Sequence, residues 1–343
     1  MFNIDNVIRK NVKELIPYSS AREEFSGTAN VWLDANENPY DTPLNRYPDP
    51  YQKQLKRAIA DIKEVTPEQL FIGNGSDEAI DLLFRAFCEP GKDRVFIFPP
   101  TYGMYQVSAR INNVEVVKIS LDDQFQLPVK TIIKTTSDAK GLLFICSPNN
   151  PTGNSFAVPT IKEIADNFSG IVVVDEAYID FSTTESAISL LNTTPNLVIL
   201  QTLSKAYGLA GIRIGMAFAN EKIIAVLNKI KPPYNVSALS QAKALEAIKN
   251  RAAVQRQIAQ IQDEREKLIA SLKTITAVKK IYPTEANFIL VKFENAHNIY
   301  TALQHKGIII RNRTSEIAGC LRITVGTARQ NKMLLQALKA LTT

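Results

Sequence analysis

Between residues 94 and 219 the chain alternates short apolar runs with amphipathic stretches, a pattern that few folds accommodate. Several of the apolar runs have no polar interruption, which is typical of strands covered by helices on both faces. The alternation predicts an α/β fold whose large domain contains a mostly parallel, helix-covered sheet. An earlier stretch, SDEAIDLLFRAF, predicts a helix with Ser76 as its N-cap. The predicted strands are RVFIF (94–98), VEVVKI (114–119), GLLFIC (141–146), GIVVVD (170–175), LVILQT (197–202) and IGMAFA (214–219).

The pattern changes at KPPYNVS (231–237), beyond which strands and helices are segregated. A long helical region follows, with a break expected near Asn250. The later elements are strands NFILVKF (287–293), GIIIRN (307–312) and CLRITV (320–325) and a closing helix, TARQNKMLLQALKAL (327–341). This segregation predicts a smaller α+β domain. We therefore divide the chain into an N-terminal arm that packs with the small domain, a large domain and a small C-terminal domain (1–32, 33–232 and 233–343).

Charge is distributed unevenly along the 343 residues. The whole chain carries 40 basic and 34 acidic side chains, whereas residues 251–343 carry 15 basic and six acidic ones. This positive final quarter suits an anionic small molecule, and a nucleic-acid partner is disfavoured because the charges form no run. No apolar stretch approaches the ~18 residues of a membrane-spanning helix, so we expect no membrane partner.

Residues that build several other kinds of active site are scarce. The sequence has two histidines, which are too few for a zinc cluster or a Ser-His-Asp triad, so we expect no metal. Its three cysteines lack paired spacing and indicate reduced thiols in a cytoplasmic protein. The N-terminus mixes apolar with charged residues, unlike a secretory signal.

Polar motifs follow the predicted strands where those strands end. Ligands of parallel α/β sheets bind beyond the carboxyl ends of the strands, so these motifs are expected to face one crevice. They are SPNNPTG, DEAY, LSKAYGLAG and PPTYGMY, with GNGSDE (73–78) ahead of a helix. A helix N-terminus at Gly75, Ser76 and Asp77 offers N–H groups to a phosphate. Ser204 and Arg213 add a hydroxyl and a guanidinium for the same anion.

The remaining side chains of these motifs fit a particular cofactor. Lys205 lies among apolar neighbours, which lowers the pKa of its amine and makes it a nucleophile. Asp175 closes a buried strand and requires a cationic partner. Pyridoxal 5′-phosphate, a phosphorylated aldehyde with a basic ring nitrogen, satisfies both groups and the phosphate site, with its ring face on Tyr102. Each feature alone has a commoner explanation, such as a surface lysine or a helix cap, but the ordered set indicates this cofactor.

The motifs resemble those of the fold type I pyridoxal-phosphate aminotransferases, and more narrowly the branch that acts on histidinol phosphate. SPNNPTG, VVVDEAY and TLSKAYGLAGIRIG carry the family resemblance; LDANENP (33–39), NRYPDP (45–50), GNGSDE, PPTYGMY and CLRITVG narrow it to that branch. The resemblance implies a transaminase of histidine biosynthesis that moves the amino group of L-histidinol phosphate to 2-oxoglutarate. Its products would be imidazole-acetol phosphate and L-glutamate.

The resemblance also implies roles for individual residues. Lys205 would form the Schiff base with the cofactor, and Asp175 would keep the ring nitrogen protonated. Tyr178 and Asn149 would hydrogen-bond the phenolic oxygen of the ring. The phosphate ligands would be Ser76, Asp77, Ser204 and Arg213, joined by Tyr47 from the other subunit of a homodimer with shared active sites. The substrate would face Tyr18, Asn36, Arg311 and Arg322, whereas a surface ion pair is expected for Arg313.

Other functions remain open at this point. The same scaffold serves aromatic-amino-acid aminotransferases and threonine-phosphate decarboxylases, which differ from the first assignment in substrate and in the bond that breaks. A ligand-sensing regulator is disfavoured because we expect no DNA-binding module before Asp34. A basic nucleic-acid binder is disfavoured because aromatic and basic residues are not interleaved.

Overall fold

The computed structural model describes residues 2–19, 25, 27 and 29–342, and its largest element is a seven-stranded sheet. The strands are β1 (Leu70–Asn74), β2 (Arg94–Ile97), β3 (Glu115–Lys118), β4 (Gly141–Cys146), β5 (Ile171–Asp175), β6 (Leu197–Thr202) and β7 (Ile214–Ala219). Their order across the sheet is β1-β7-β6-β5-β4-β2-β3. Strand β7 is antiparallel to both of its neighbours, and the other pairs are parallel. The predicted mostly parallel α/β fold is confirmed.

Helices cover both faces of this sheet. They are α1 (Lys10–Glu14), α2 (Lys53–Lys63), α3 (Ser76–Phe87), α4 (Met104–Ile111), α5 (Val129–Thr136), α6 (Val158–Asp166), α7 (Glu221–Ile230) and α8 (Ala238–Lys249). Helices α2, α5, α6 and α8 pack on one face, and α3, α4 and α7 on the other. An apolar core lies on each face: the first core is under α2, α5, α6 and α8, and the second is under α3, α4 and α7. Strand β4 contributes to both, because successive side chains of a strand point to opposite faces: Leu143 to the first core and Phe144 to the second.

A second, antiparallel sheet lies in the last third of the chain. Its strands, in the order β10-β11-β9-β8, are β8 (Val278–Ile281), β9 (Phe288–Phe293), β10 (Arg311–Asn312) and β11 (Cys320–Thr324). Helices α9 (Arg251–Leu272), α10 (Ala296–His305) and α11 (Ala328–Thr342) accompany it. This sheet and its helices have their own apolar core, as expected for a small α+β unit, and the core includes Leu268, Ile289 and Leu303. Among the described helices, none has the length and apolarity needed to cross a membrane.

The apolar cores favour a domain boundary near Asn250. Val236, Ala244 and Ile248 are buried in the first core of the large sheet. The division at residues 232 and 233 assigned them to the small domain, because the Pro-rich segment before them looked like a linker. We therefore propose that α8 belongs to the large domain and that the small domain begins at α9.

Residues 2–13 pack on the large sheet and not with the small domain, whereas the expectation for the rest of the arm stays a prediction. Ile4 and Val7 are buried in the second core, beside α3 and α7. Lys229 Nζ of α7 donates to Lys13 O at 2.9 Å. The apolar side chains at positions 4 and 7 share one face, and this face is buried against the nearest apolar surface. Residues 20–24 of the predicted arm lie outside the described residues.

Three elements differ from the sequence prediction. Strand β1 was not predicted because its apolar run, Leu70 to Ile72, is only three residues long and is too short to indicate a strand. Strand β8 was missed because it is a partly exposed edge strand with two lysines. The predicted strand 307–312 pairs with its neighbour at Arg311 and Asn312, and Ile309 before them is 74% exposed.

Candidate active site

A cavity of about 190 Å³ opens where β4, β5 and β6 end, next to the start of helix α3. The carboxyl ends of parallel strands meet at one edge of a sheet, which is where the sequence predicted the polar motifs to converge. The lining residues are Ser76, Asp77, Tyr102, Cys146, Asn150, Asp175, Ala177, Tyr178, Thr202, Ser204, Lys205 and Arg213. Eight of these were predicted as site residues.

Asp175 is the last residue of β5 and is 3% exposed. Tyr105 Oη donates to its Oδ2 at 2.7 Å, and Ala177 N donates to its Oδ1 at 3.1 Å. Burial raises the pKa of the Asp175 carboxyl to about 6, against the influence of these two hydrogen bonds and of the Lys205 charge. A cationic group bound beside it would favour the ionised form.

Lys205 lies in the connection between β6 and β7 and is exposed to the cavity. Its Nζ is 5.7 Å from the centre of the Tyr178 ring. Partial burial lowers the pKa of the Lys205 amine, and the positive charge of Arg322 lowers it further, while Asp175 and Asp77 act in the other direction. A lowered pKa leaves more of the neutral amine at neutral pH, and this form attacks aldehydes and accepts protons.

The wall around the start of α3 is suited to an anion. Gly75, not Ser76, caps the helix; its φ of +83° is a conformation that favours glycine, and this corrects the predicted N-cap. No described side chain caps this end, so the N–H groups of the first turn face the cavity. Arg213 Nη1 lies 3.5 Å from Ser204 Oγ. Amide, hydroxyl and guanidinium donors in one place favour a phosphate.

Asp77 contributes to this wall in a way that its sequence assignment did not specify. Its Oδ2 lies 3.7 Å from Arg213 Nη2, and its Oδ1 accepts from Tyr102 Oη at 3.3 Å. The carboxylate would repel a phosphate, so Asp77 can hold one through its backbone N–H. A Cβ at position 75 would lie 2.6 Å from Arg213 Nη2, so the glycine also leaves room for the guanidinium.

Arg322 of β11 does not line this cavity but contacts it through the lining residue Asn150. Asn150 Nδ2 donates to Tyr178 Oη at 3.3 Å, and Arg322 Nη1 donates to Asn150 Oδ1. The Arg322 guanidinium also lies 5.0 Å from the centre of the Phe288 ring. Its Nε is buried and has no hydrogen-bond acceptor among the residues that the structure describes. A buried donor without an acceptor is costly, so Arg322 is suited to an added anionic ligand.

Asn150, and not the predicted Asn149, lines the cavity. Asn149 is buried, and its Nδ2 donates to Pro100 O at 2.8 Å and to Thr152 Oγ1 at 2.7 Å. Its Oδ1 accepts from Thr101 Oγ1 at 3.0 Å. These bonds join the loops after β2 and β4 and turn the amide away from the cavity.

Tyr47 and Asn36 border a neighbouring cavity of about 690 Å³ instead. Arg213 lines both cavities. The Tyr47 ring stacks on Tyr234 with centroids 4.3 Å apart and an interplanar angle of 13°. Within a single chain, neither Tyr47 nor Asn36 lines the cavity of Lys205.

Three predicted substrate residues line neither cavity: Tyr18, Arg311 and Arg322, of which Arg322 contacts the lining residue Asn150. Tyr18 is 71% exposed and follows α1. Arg311 is exposed on β10, where it pairs in register with Arg322 of β11. Arg313 forms the expected ion pair, with its Nη1 2.6 Å from Glu316 Oε1.

Sequence reasoning missed four lining residues, Cys146, Asn150, Ala177 and Thr202, and it also missed Tyr105, which bonds to Asp175. Cys146 and Thr202 are the last residues of β4 and β6, so the rule that located Asp175 also applies to them. Tyr105 lies in the first turn of α4, three residues after Tyr102, which precedes the helix. The pair Asn149 and Asn150 offered two identical amides, and only their backbone directions distinguish them.

These donors fit pyridoxal phosphate. The cavity combines an amine for the aldehyde, a buried carboxylate for the ring nitrogen and a helix N-terminus with Ser204 and Arg213 for the phosphate. Tyr178 and Asn150 supply hydrogen-bonding groups for the remaining ring oxygen. The buried Asp175 accepts hydrogen bonds but has no cation in direct contact among the described residues. A protonated pyridine ring would supply that cation.

Comparison with known proteins agrees with this chemistry. The model of the family aminotransferase class I and II matches residues 20–338. The histidinol-phosphate aminotransferase of Flavobacterium johnsoniae is 51% identical over 345 residues, covering 99% of both chains. That of Parabacteroides distasonis is 51% identical over 341 residues, again covering 99% of both.

The fold has a close counterpart among solved structures. Histidinol-phosphate aminotransferase from Sinorhizobium meliloti, in complex with pyridoxal-5′-phosphate, matches with a TM-score of 0.81. The match covers 88% of this chain and 84% of that one at 23% identity, so it bears on the fold alone. The family match and the relatives at 51% identity go further: this chain belongs to the class I and II aminotransferases, in the family of the histidinol-phosphate aminotransferases.

Proposed function

We propose that the chain transfers the amino group of L-histidinol phosphate to 2-oxoglutarate, giving imidazole-acetol phosphate and L-glutamate. The observation that carries the proposal is the convergence of Lys205, Asp175 and a phosphate-type wall in one cavity. The chain's near-complete alignment with relatives that carry the histidinol-phosphate name supports the substrate. The reaction is a step of histidine biosynthesis.

Bound pyridoxal phosphate supplies an aldehyde that exchanges with amino groups and a protonated ring that accepts the electron pair released when a C–H bond breaks. Asp175 keeps the ring nitrogen protonated, since a carboxylate beside a cation in a buried site favours the charged pair. Ser204, Arg213 and the N–H groups at the start of α3 hold the phosphate. Tyr178 and Asn150 orient the ring through its oxygen.

Lys205 handles the proton in this scheme. Its lowered pKa makes the neutral amine accessible, so Nζ could accept the proton from the substrate carbon that bears the amino group and, once protonated, donate it again. The amine acts first as a base and then as an acid. Tyr178, with its ring near Nζ, limits the positions that the amine can adopt.

Arg322 is the proposed ligand of the substrate's anionic group. Histidinol phosphate has no carboxylate, and its phosphate ester carries nearly two negative charges, which a forked guanidinium binds well. The same guanidinium would bind a carboxylate of glutamate or 2-oxoglutarate in the second half of the reaction. None of the other predicted substrate residues, Tyr18, Asn36 and Arg311, lines the cavity of Lys205 within one chain. Their contact with the substrate therefore stays a proposal.

An assay with three substrates tests the proposed function. The purified protein, loaded with pyridoxal phosphate, is given glutamate with imidazole-acetol phosphate or with phenylpyruvate, and separately threonine phosphate. We expect the highest kcat/KM for imidazole-acetol phosphate, because Arg322 pairs with a phosphate, and no carbon dioxide from threonine phosphate. A preference for phenylpyruvate would favour an aromatic aminotransferase, and carbon dioxide release would favour a decarboxylase.

We also propose that the protein acts in the cytoplasm as a homodimer in which Tyr47 completes the partner's phosphate site. Tyr47 is 51% exposed and the nearby Leu239 is 61% exposed, which suits a surface covered by a second copy. The cytoplasmic location rests on the three cysteines, all of them buried free thiols.

Mixed dimers test this arrangement. Lys205→Ala and Tyr47→Ala chains are each expected to form poorly active homodimers. A dimer with one chain of each kind would contain one intact site, because the Lys205→Ala chain lends its Tyr47 to the other chain's Lys205. Mixing should therefore restore up to about half the activity per mixed dimer. Activity that does not rise on mixing, or an active monomer in sedimentation, would contradict the shared site.

A further inference from the structure

Tyr105, the second tyrosine of PPTYGMY, has no role in the scheme above, although it touches the acid at its centre. It lies in the first turn of α4 and is completely buried. Its ring stacks on Phe144 with centroids 4.5 Å apart and an interplanar angle of 15°. The Tyr102 ring meets it edge-on at 5.5 Å. Packing on both sides leaves the phenol one orientation.

That orientation directs the hydroxyl at Asp175. Tyr105 Oη donates to Asp175 Oδ2 at 2.7 Å, while Ala177 N donates to Oδ1 at 3.1 Å. Burial and the adjacent carboxylate raise the pKa of the Tyr105 phenol well above its ordinary value, so the hydroxyl remains a donor. Each carboxylate oxygen thus has a fixed donor, and one of the two comes from another element.

We propose that Tyr105 is a positioning residue for Asp175, whose hydroxyl fixes the carboxylate toward the cavity and stabilises its ionised form. The catalytic consequence rests on the proposed function, since only an ionised Asp175 can keep a ring nitrogen protonated. Burial works against ionisation, and donated hydrogen bonds offset it. Without the phenol, the N–H of Ala177 is the remaining hydrogen-bond donor to the carboxylate.

The other groups that face Asp175 do not replace this bond. Lys205, from the β6–β7 connection, favours the ionised carboxylate by its charge, whereas Asp77 of α3 disfavours it. Cys146 of β4, Tyr102 before α4 and Tyr178 after β5 are neutral at physiological pH, because the pKa of each is raised by burial. Tyr105 therefore supplies a neutral, directed donor that does not depend on the charge of Lys205.

Tyr105→Phe tests the proposal, because phenylalanine keeps the ring between Phe144 and Tyr102 and removes one oxygen. In the protein freed of cofactor, infrared difference spectroscopy follows the carboxyl band of Asp175, identified by its loss in Asp175→Asn. We expect the titration midpoint of Asp175 to rise by about one pH unit. In the loaded enzyme, kcat should fall about tenfold with little change in KM, and the acid limb of the kcat profile should move to higher pH by a similar amount.

Tyr300→Phe is the matched control, because the Tyr300 hydroxyl on α10 accepts from Gln304 far from the cavity. A Tyr105→Phe protein that is less heat-stable but titrates Asp175 as before, with an unshifted pH profile, would show a structural role and overturn the proposal. The two proposals fail separately. A shifted titration in a protein inactive on histidinol phosphate would refute the proposed function alone, whereas an unshifted titration in an active protein would refute the role of Tyr105 alone.

Discussion

Lys205→Ala is expected to lower the turnover of histidinol phosphate by about 10⁴-fold or more, because one amine supplies both the bond to the cofactor and the proton transfer. Asp175, Ser204 and Arg213 remain in the variant, so pyridoxal phosphate should still bind, but without a covalent bond. Dialysis of the variant should then remove cofactor that the unaltered protein retains. Steady-state kinetics and cofactor content measure the two effects.

Two further variants separate charge from chemistry at this position. Lys205→Arg keeps a positive charge but offers no nucleophilic amine, so it should be as inactive as Lys205→Ala. Lys222→Ala removes an exposed lysine at the start of α7 and should leave turnover unchanged. A Lys205→Arg protein with substantial activity would show that the charge, and not the amine, is what the site requires.

Arg322→Lys is expected to raise the KM for histidinol phosphate about 10- to 100-fold with a smaller change in kcat, because a point charge replaces a forked donor on a phosphate. The guanidinium is held over Phe288 and bonded to Asn150, with Nε still unpaired among the described residues. A lysine ammonium could still contact Phe288 or Asn150, but it lacks the planar fork that binds two phosphate oxygens in parallel. Steady-state kinetics with each substrate varied in turn measures the effect.

The chain offers a matched control for Arg322→Lys. Arg313→Lys makes the same chemical change at the residue directly after β10, where the guanidinium pairs with Glu316. Its KM should stay within about twofold of the unaltered protein's, since a lysine can keep the ion pair with Glu316. Equal increases in both variants would mean that general positive charge on this face, and not Arg322, binds the substrate.

The local pattern of the sequence predicts the large sheet well. Strands β4, β6 and β7 have the predicted bounds, because strands that are buried on both faces read as continuous apolar runs. Edge strands lack that signal, since one side of β8 faces solvent and its charged residues resemble a loop. The boundary near Asn250 depends on where the apolar face of α8 packs, which is tertiary information that a Pro-rich segment does not carry.

The candidate site was predictable where a residue's position follows from a strand end. Asp175 and Lys205 lie at such positions, and the rule for parallel sheets brings them together. Asn149 and Asn150 show the limit of this reasoning, because neighbours in a loop point in different directions and only the backbone decides which amide enters the cavity. Tyr105 shows another limit, since its importance depends on a contact with a residue 70 positions away.

The central claim is that Lys205 forms the covalent bond to pyridoxal phosphate beside Asp175. Borohydride reduction of the loaded protein makes such a bond permanent, and digestion followed by mass spectrometry identifies the peptide that carries the cofactor. We predict that the label lies on Lys205 and is absent from the Lys205→Ala protein. A label on a different lysine, or a reduced protein from which all cofactor dissociates on denaturation, would contradict the claim.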